Sequence, residues 1–292
     1  MTNLYSLMQR FPDENACRKL LEEIRFKENF YCPKCGSTGT IYKYKDGRFK
    51  CKDCNEQFSL TKGTIFERSH IPLQKWFLTI YIFCSHKKGI SSHQLSRDIG
   101  ITQSSAWYML HRIRTGMRNS SVYKEKLDGI IEIDETYVGG KNKNKHWDKK
   151  SKRSQGRSTV DKACVFGMLS RTGNVIAFPV QHLYHNGIKL LIKAKVKAGA
   201  IVNTDEFLIY KGLSKYFQHQ VVDHSRYQYC DGEKHTNSIE GFWSMLKRGI
   251  IGIYHLVSRK YLKKYCAEFV FRYNTREMSE QGRFEQLIYQ CV

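Results

Sequence analysis

Three acidic residues, Asp134, Asp205 and Glu240, occur where carboxylates could bind divalent cations. Asp134 follows the alternating run IEI and Asp205 ends the run IVNT, so each is predicted near the end of a strand, turned away from its apolar face. Glu240 lies in HTNSIEGFWSMLKR, part of a helix predicted from about residue 236 to 250. If the three carboxylates converge, they would suit two hard cations, as in two-metal phosphoryl transfer. Taken singly, an Asp at the end of an apolar strand is normally just its first solvated residue, and Glu240 could belong to an exposed charge pair on a surface helix.

The predicted helix carries further polar groups beside Glu240. Lys247 follows seven residues later, within about 20° of Glu240 around the helix, where it would suit a DNA phosphate. Asn237 is one turn earlier on nearly the same face and competes with Glu240 as the third ligand. We expect Glu240 to be the ligand, because a carboxylate binds Mg2+ more strongly than an amide. Arg248 is expected to contact DNA.

Four cysteines form two CxxC pairs, Cys32/Cys35 and Cys51/Cys54, separated by residues 36–50. Two such pairs can supply the tetrahedral sulfur shell of one structural Zn2+ ion, and this spacing is typical of a zinc ribbon. Unpaired core thiols and a redox motif are the alternatives, and both fit two pairs in a small basic segment less well.

The charge of the chain favours an anionic partner. There are 49 Lys and Arg against 27 Asp and Glu, for a net charge of +22 in 292 residues. Such an excess favours nucleic acid through counterion release, although membrane surfaces and acidic proteins would attract it too. No run of 18 apolar residues and no secretory signal is evident, so we expect a cytosolic protein with no membrane partner.

A helix-turn-helix is predicted within residues 70–120. Its first helix would end at Gly100, and Thr102 would cap the second. Leu95, Ile99, Ala106 and Leu110 would form the shared core. The outward residues, His111 among them, would read a DNA groove. Those expected to contact DNA are Gln103, Ser104, Tyr108, Arg112 and Arg114. An ordinary helical hairpin is the alternative.

The pattern of elements predicts an α/β protein with one mixed sheet, preceded by the small modules. Pro12 and Asp13 would open one N-terminal helix, and residues 171–174 would turn a β-hairpin. Residues 141–162, with nine basic and two acidic residues, are predicted to form an exposed, mobile loop that either grips target DNA or is simply solvated. The predicted divisions are an N-terminal helix (1–30), zinc ribbon (31–66), helix-turn-helix (70–120), catalytic domain (125–276) and C-terminal tail (277–292).

The order of these motifs closely resembles bacterial DDE transposases of the insertion-sequence fifteen-ninety-five family, and the eukaryotic Merlin transposases look similar. The resemblance rests on the zinc ribbon, IEIDETYVGGK, VNTDE and the long run that begins HTNSIEGFWSMLKRGIIGIYHLVSRKYLKKY, and it covers about residues 12 to 276. It implies an RNase H-like domain in which Asp134, Asp205 and Glu240 bind two Mg2+ (or Mn2+) ions, with Lys247 as the family's basic residue.

The resemblance also implies partners and an activity. These are double-stranded DNA at the transposon ends and target, a homo-oligomer that pairs two ends, and strand cleavage at terminal inverted repeats followed by strand transfer. The location would be the nucleoid, or the nucleus in a eukaryote. A non-catalytic DNA-binding regulator or domesticated transposase, and an RNase H-like nuclease without strand transfer, are the competing hypotheses.

Overall fold

The computed structural model describes residues 3–26, 31–139, 146–152, 160–181, 184–222 and 234–292. The chain divides into two compact units. The first comprises Met1–Asn119 with Glu277–Val292, and the second comprises Ser120–Arg276. Among the described residues, no helix has the length and apolar character needed to span a membrane.

The first unit opens with two helices, α1 (Leu4–Arg10) and α2 (Glu14–Phe26). The helix predicted from Pro12 and Asp13 is α2, and the Asp13 carboxylate accepts a hydrogen bond from the Ala16 amide at its start. Helix α1 was not predicted. A small antiparallel sheet follows, made of β1 (Ile41–Lys43), β2 (Arg48–Cys51) and β3 (Gln57–Ser59) in that order.

Three helices complete the N-terminal part of this unit: α3 (Leu73–Ser85), α4 (Ser92–Ile99) and α5 (Gln103–Gly116). The predicted turn between α4 and α5 is present. Gly100 ends α4 with a φ of 60°, and the Thr102 hydroxyl accepts from the Ser105 amide to begin α5. A left-handed residue after a helix favours glycine, which has no Cβ to clash. Leu95 and Ala106 are buried at the contact, as predicted.

Two residues of α5 correct the prediction that its basic side faces outward. His111 and Arg114 are only 4% and 1% exposed. The Arg114 guanidinium lies 5.8 Å from the Phe83 ring centroid, and His111 lies 4.0 Å from the Trp107 ring centroid. Since both α3 and α4 pack against α5, much of its circumference is interior. The spacing of apolar residues along α5 predicts one buried face, and it does not reveal that a second helix packs against another face.

The second unit is built on a five-stranded mixed sheet. Its strands are β4 (Ile130–Gly139), β5 (Lys162–Ser170), β6 (Val175–Val180), β7 (Ile201–Asp205) and β8 (Gln218–Val222), with helix α6 (His185–Lys195) between β6 and β7. The sheet order is β6-β5-β4-β7-β8. Strands β4, β5 and β6 are antiparallel neighbours, while β7 and β8 run parallel to β4. The predicted mixed sheet and the hairpin at 171–174 are confirmed.

The position of Asp134 along its strand differs from the prediction. Strand β4 continues to Gly139, so Asp134 lies in the middle of the strand. The strand extends this far because β5 pairs with it along its length, with Asp134 opposite Gly167 and Gly139 opposite Lys162. Asp205 ends β7, as predicted.

Helices α7 (Asn237–Gly249) and α8 (Arg259–Asn274) follow the sheet, α7 packing on β4 and β5 and α8 on β6. The predicted buried stripe of α7 is confirmed, because Ile239, Phe242, Trp243 and Leu246 are at most 4% exposed. Burying each of these side chains contributes about 2 kcal/mol relative to exposure. This stripe fixes which side of α7 faces the sheet, and therefore the direction of its polar residues.

The last helix, α9 (Glu280–Cys291), belongs to the first unit. Residues 277–292, predicted as a tail, pack through α9 on α3 and α5. Phe284 and Ile288 are fully buried, and the Phe284 ring lies 6.0 Å from that of Phe77. Most of the basic segment predicted as a loop, 141–145 and 153–159, lies outside the described residues.

Candidate active site

Asp134 and Asp205 come together because β4 and β7 are parallel neighbours. Glu132 pairs with Asn203, and two residues further along each strand lie Asp134 and Asp205. Equal offsets on parallel neighbours place two side chains on the same face of the sheet, about 4.8 Å apart between strands. One carboxylate oxygen of each, together with one from Glu135, lies within 4.8 Å of the others.

Glu135 is a member of this cluster that the sequence did not single out. Its side chain is 8% exposed, and its Oε2 accepts a hydrogen bond of 2.8 Å from the Tyr210 hydroxyl. Tyr210 is itself buried, and burial together with the Glu135 charge raises the pKa of its hydroxyl well above the ordinary value. Tyr210 therefore stays protonated and acts as a donor that orients the carboxylate.

The electrostatics of the cluster favour a cation. Burial, followed by the negative charges of Glu135 and Asp205, raises the pKa of Asp134 to about 7. Like charges this close cannot all be ionised without compensation. A divalent cation with oxygen ligands supplies that compensation, so the donor set fits Mg2+ or Mn2+.

Helix α7 adds Glu240 and Lys247 to the same site. Both line a cavity of about 320 Å³ that is also lined by Asp134, Glu135 and Asp205. The Thr236 hydroxyl donates a hydrogen bond of 3.1 Å to Glu240 Oε1. Glu240 is outside the tight group of three carboxylates. Asn237, the alternative third ligand, is exposed at the first position of α7 and is absent from the described lining of this cavity.

Trp243 joins α7 to β4. Its indole Nε1 donates a hydrogen bond of 2.9 Å to Asp134 Oδ2. The ring lies over Gly167, where a Cβ would come within 2.5 Å of the indole Cη2. Glycine at this position therefore admits the indole close to the sheet, and the indole holds one oxygen of Asp134.

Glu132 holds the beginning of α7. It is fully buried, and its Oε2 accepts hydrogen bonds from the amides of Ser238 (2.9 Å) and Ile239 (3.0 Å). The first amides of a helix lack partners within the helix and carry partial positive charge, so a carboxylate stabilises them. A strand side chain two residues from Asp134 thus sets the position of the helix that carries Glu240.

A polar network surrounds this contact. Arg171 Nε donates to Glu132 Oε1 at 2.8 Å, and His235 Nδ1 lies 3.2 Å from the same oxygen. The His235 carbonyl accepts from both Arg171 (3.1 Å) and Asn203 (3.2 Å). Glu132 and the His235 carbonyl together therefore link four segments: β4, the hairpin, β7 and the start of α7.

Sequence reasoning missed Glu132, Glu135 and the polar role of Trp243. A signal for Glu132 was present, because strand alternation puts it on the same face as Asp134. Two acids on the same face of one strand indicate a polar partner on that face. No comparable signal exists for Glu135 or the Trp243 nitrogen, since their partners come from distant segments.

A second candidate metal site lies in the first unit, where Cys32, Cys35, Cys51 and Cys54 bring their sulfur atoms within 4.8 Å of one another. The Cys32–Cys54 and Cys35–Cys51 sulfur separations are 3.7 and 3.8 Å. Sulfurs about 2.3 Å from a tetrahedral zinc ion would be about 3.8 Å apart, whereas a disulfide would bring them to about 2.0 Å. The geometry therefore fits zinc.

The residues predicted to contact DNA differ in their exposure. Gln103, Ser104 and Tyr108 on α5, and Lys247 and Arg248 on α7, are exposed. Arg112 is partly buried, and its guanidinium donates to the Glu67 carbonyl at 2.6 Å and to the Tyr108 hydroxyl. Arg114 is the buried exception described above.

Comparison with known proteins identifies two domains in the chain. Residues 126–274 match an ISXO2-like transposase domain, and residues 12–57 match a transposase zinc-ribbon domain. The chain is 30% identical over 279 residues to an uncharacterized protein in transposable element ISH50 of Halobacterium salinarum, covering 91% of this chain and 92% of that protein.

A solved structure, the Mos1 strand transfer complex, aligns with 70% of this chain and 77% of its own at 12% identity, with a TM-score of 0.23. The match to the transposase domain spans about half of the chain and includes every carboxylate of the candidate site. The chain therefore belongs to the family of insertion-sequence transposases with an ISXO2-like DDE transposase domain and a transposase zinc ribbon.

Proposed function

We propose that this protein binds the terminal inverted repeats of its insertion sequence and catalyses metal-dependent DNA strand cleavage and strand transfer. The observation that carries the proposal is the register of β4 and β7, which aligns Asp134 with Asp205 beside the Glu240–Lys247 face of α7. The family membership supports the same activity. The sheet order, three antiparallel strands followed by two parallel ones, supports an RNase H-like fold for the second unit.

In this proposal Asp134, Asp205 and Glu240 hold two Mg2+ (or Mn2+) ions. When bound, the ions lower the pKa of the attacking water or 3′-hydroxyl and place positive charge beside the leaving oxygen. Glu240 lines the cavity and Asn237 does not, which supports Glu240 as the third ligand. The buried carboxylate of Glu135 adds negative charge beside Asp134 and strengthens attraction for the cations.

The remaining residues of the site position other groups or neutralise negative charge. Trp243 fixes the orientation of the Asp134 carboxylate through Oδ2. Lys247 faces the same cavity and would neutralise a DNA phosphate close to the bond that breaks. Glu132 and its network hold α7 against the sheet without touching the reacting groups.

DNA recognition is assigned to the first unit. Helices α4 and α5, joined by the turn at Gly100, support a helix-turn-helix in which the exposed residues Gln103, Ser104 and Tyr108 would face a major groove. The four-cysteine cluster would hold one structural zinc ion. Pairing of two DNA ends would require a homo-oligomer.

The test is cleavage of a duplex that carries the terminal inverted repeat, in Mg2+ and in EDTA. Asp134→Asn should abolish cleavage and leave DNA affinity near that of the wild type. Asp128→Asn is the matched control, because Asp128 lies in the same unit, two residues before β4, but is exposed and paired with Lys197 at 2.9 Å. The control should cleave normally.

Two results would replace this proposal. A wild-type protein that binds the repeat but never cleaves it would be a DNA-binding regulator. A protein that cleaves, yet does not join a pre-cut end to target DNA, would be a nuclease without strand transfer.

A further inference from the structure

A second cavity of the sheet unit, of about 650 Å³, lies away from the carboxylates. It is formed by the beginning of β5, the end of β6 and the first turns of α8. Its lining includes four cationic side chains: Lys162, Arg259, Lys260 and Lys263. No carboxylate belongs to its lining in the part of the chain that the structure describes. A concave site of this kind selects an anion.

Arg259 is oriented by the backbone of the β5 approach. Its Nη2 donates to the carbonyls of Val160 (2.8 Å) and Lys162 (3.1 Å). These bonds fix the guanidinium at the cavity wall. Lys260 and Lys263 are exposed, on the first turns of the same helix. The cavity therefore combines a guanidinium held by the backbone with the exposed ammonium groups of two lysines.

The electrostatics of α8 make this cluster costly without a ligand. The amino end of a helix carries partial positive charge, which acidic residues normally offset. Helix α8 has no acidic residue in its first turn, and the Ser258 side chain makes no capping hydrogen bond there. Cations are gathered instead where the helix itself is positive. An anion bound in the cavity would relieve this repulsion.

We propose that this cavity binds backbone phosphates of the DNA strand that enters the active site. The inference rests on the proposed function and adds to it a phosphate-binding site. Strand β5 links the two places, since Gly167 pairs with Asp134 and Lys162 pairs with Gly139. Five residues along a strand span about 17 Å. That distance corresponds to about five nucleotides at 3.4 Å each. The bound phosphates are therefore about half a helical turn from the phosphodiester that is cut.

The experiment compares two double variants of the full-length chain. Lys260→Gln with Lys263→Gln removes two charges from the cavity. Lys211→Gln with Lys215→Gln removes two exposed lysines between β7 and β8, at the opposite edge of the sheet. Fluorescence anisotropy would measure the affinity of each protein for a labelled duplex of mixed sequence over a range of salt concentrations.

The cavity variant should make the negative slope of log affinity against log salt shallower by about 1.8, because each lost contact with duplex phosphate removes about 0.9 from its magnitude. The control variant should keep the wild-type slope. Equal slopes for both double variants, or a wild-type slope in the cavity variant, would overturn the proposal. Unchanged melting temperatures would show that folding is not the cause of any difference.

A second measurement locates the phosphates. Replacing single phosphates of the repeat-containing duplex by neutral methylphosphonates should weaken wild-type binding about five nucleotides from the mapped cleavage position. The same replacement should have no effect on the Lys260/Lys263 variant. The salt dependence reads binding alone, so it remains informative for a protein that does not cleave. Normal cleavage with no position-dependent loss would reject the cavity and leave the proposed function intact.

Discussion

Replacing Glu132 by Gln tests whether a buried strand carboxylate controls the active-site helix. The substitution keeps the shape of the side chain and one carbonyl oxygen but removes the charge. It leaves the amides of Ser238 and Ile239 and the guanidinium of Arg171 to share a neutral amide. The NH2 group of the new glutamine is a hydrogen-bond donor, and it would face backbone amides or a guanidinium that are donors too.

The expected loss of stability can be worked from these contacts. Loss of a negative charge at a partly buried helix N-terminus costs about 1–2 kcal/mol. Loss of a charge-assisted hydrogen bond to Arg171 costs about 1.5–3 kcal/mol. The sum is close to the roughly 3–5 kcal/mol for breaking a buried ion pair. We therefore expect the free energy of unfolding to fall by about 3 kcal/mol, and the melting temperature by roughly 10 °C.

A matched control separates stability from positioning. Glu268 is also fully buried, and it accepts from Arg272 (2.9 and 3.0 Å) and from the Tyr254 hydroxyl (2.6 Å). Glu268→Gln should lose a similar amount of stability, measured by urea unfolding. It should nevertheless cleave DNA at close to the wild-type rate when assayed well below its melting temperature, because Glu268 lies on α8 and bonds Arg272 and Tyr254, which follows the far end of α7.

Glu132→Gln should differ from that control. A displacement of α7 by about 1 Å would move Glu240 and Lys247 relative to Asp134, and such a misplacement costs roughly a hundredfold in rate. Its affinity for Mn2+, measured by calorimetry, should fall as well. Equal cleavage rates in the two variants would refute the reasoning, and so would a Glu132→Gln protein with wild-type stability.

Three further predictions address the two metal sites and the packing between α7 and β5. Gly167→Ala should destabilise the protein by about 1–3 kcal/mol in urea unfolding, because its Cβ would meet the Trp243 indole at 2.5 Å; adding Trp243→Phe should recover part of that loss, and a stable single variant would contradict the packing. Cys35→Ser should reduce the zinc content measured by mass spectrometry from one ion per chain toward zero, whereas unchanged content would exclude the sulfur cluster. Burial and the nearby acids raise the pKa of Asp134 from its ordinary value of 3.8 to about 7, so the metal-free folded state binds this proton more tightly than the unfolded chain. Stability without metal should therefore decrease as pH rises from about 4 through 7, Mn2+ affinity should weaken below about 7, and Asp134→Asn should lose the first dependence in unfolding measurements; a metal-free stability that rises over this interval would contradict the assignment.

Local patterns in the sequence predicted the elements that carry the site. Alternation marked β4 and β7, and the apolar stripe of α7 gave the helix and its buried face. The two CxxC pairs identified the sulfur cluster because each pair is a local turn. These predictions succeeded because each depends on residues only a few positions apart, where backbone geometry sets the spacing.

Relations between distant segments were decided only by the tertiary structure. Glu135 meets Tyr210 across 75 positions, and Glu132 meets the start of α7 across more than 100. The burial of Arg114 likewise depends on helices packed around α5, which its own periodicity does not reveal. The sequence by itself determined which carboxylates and cysteines were available for chemistry. Strand order and helix packing decided which of them share a site, because pairing and burial depend on partners that no local pattern specifies.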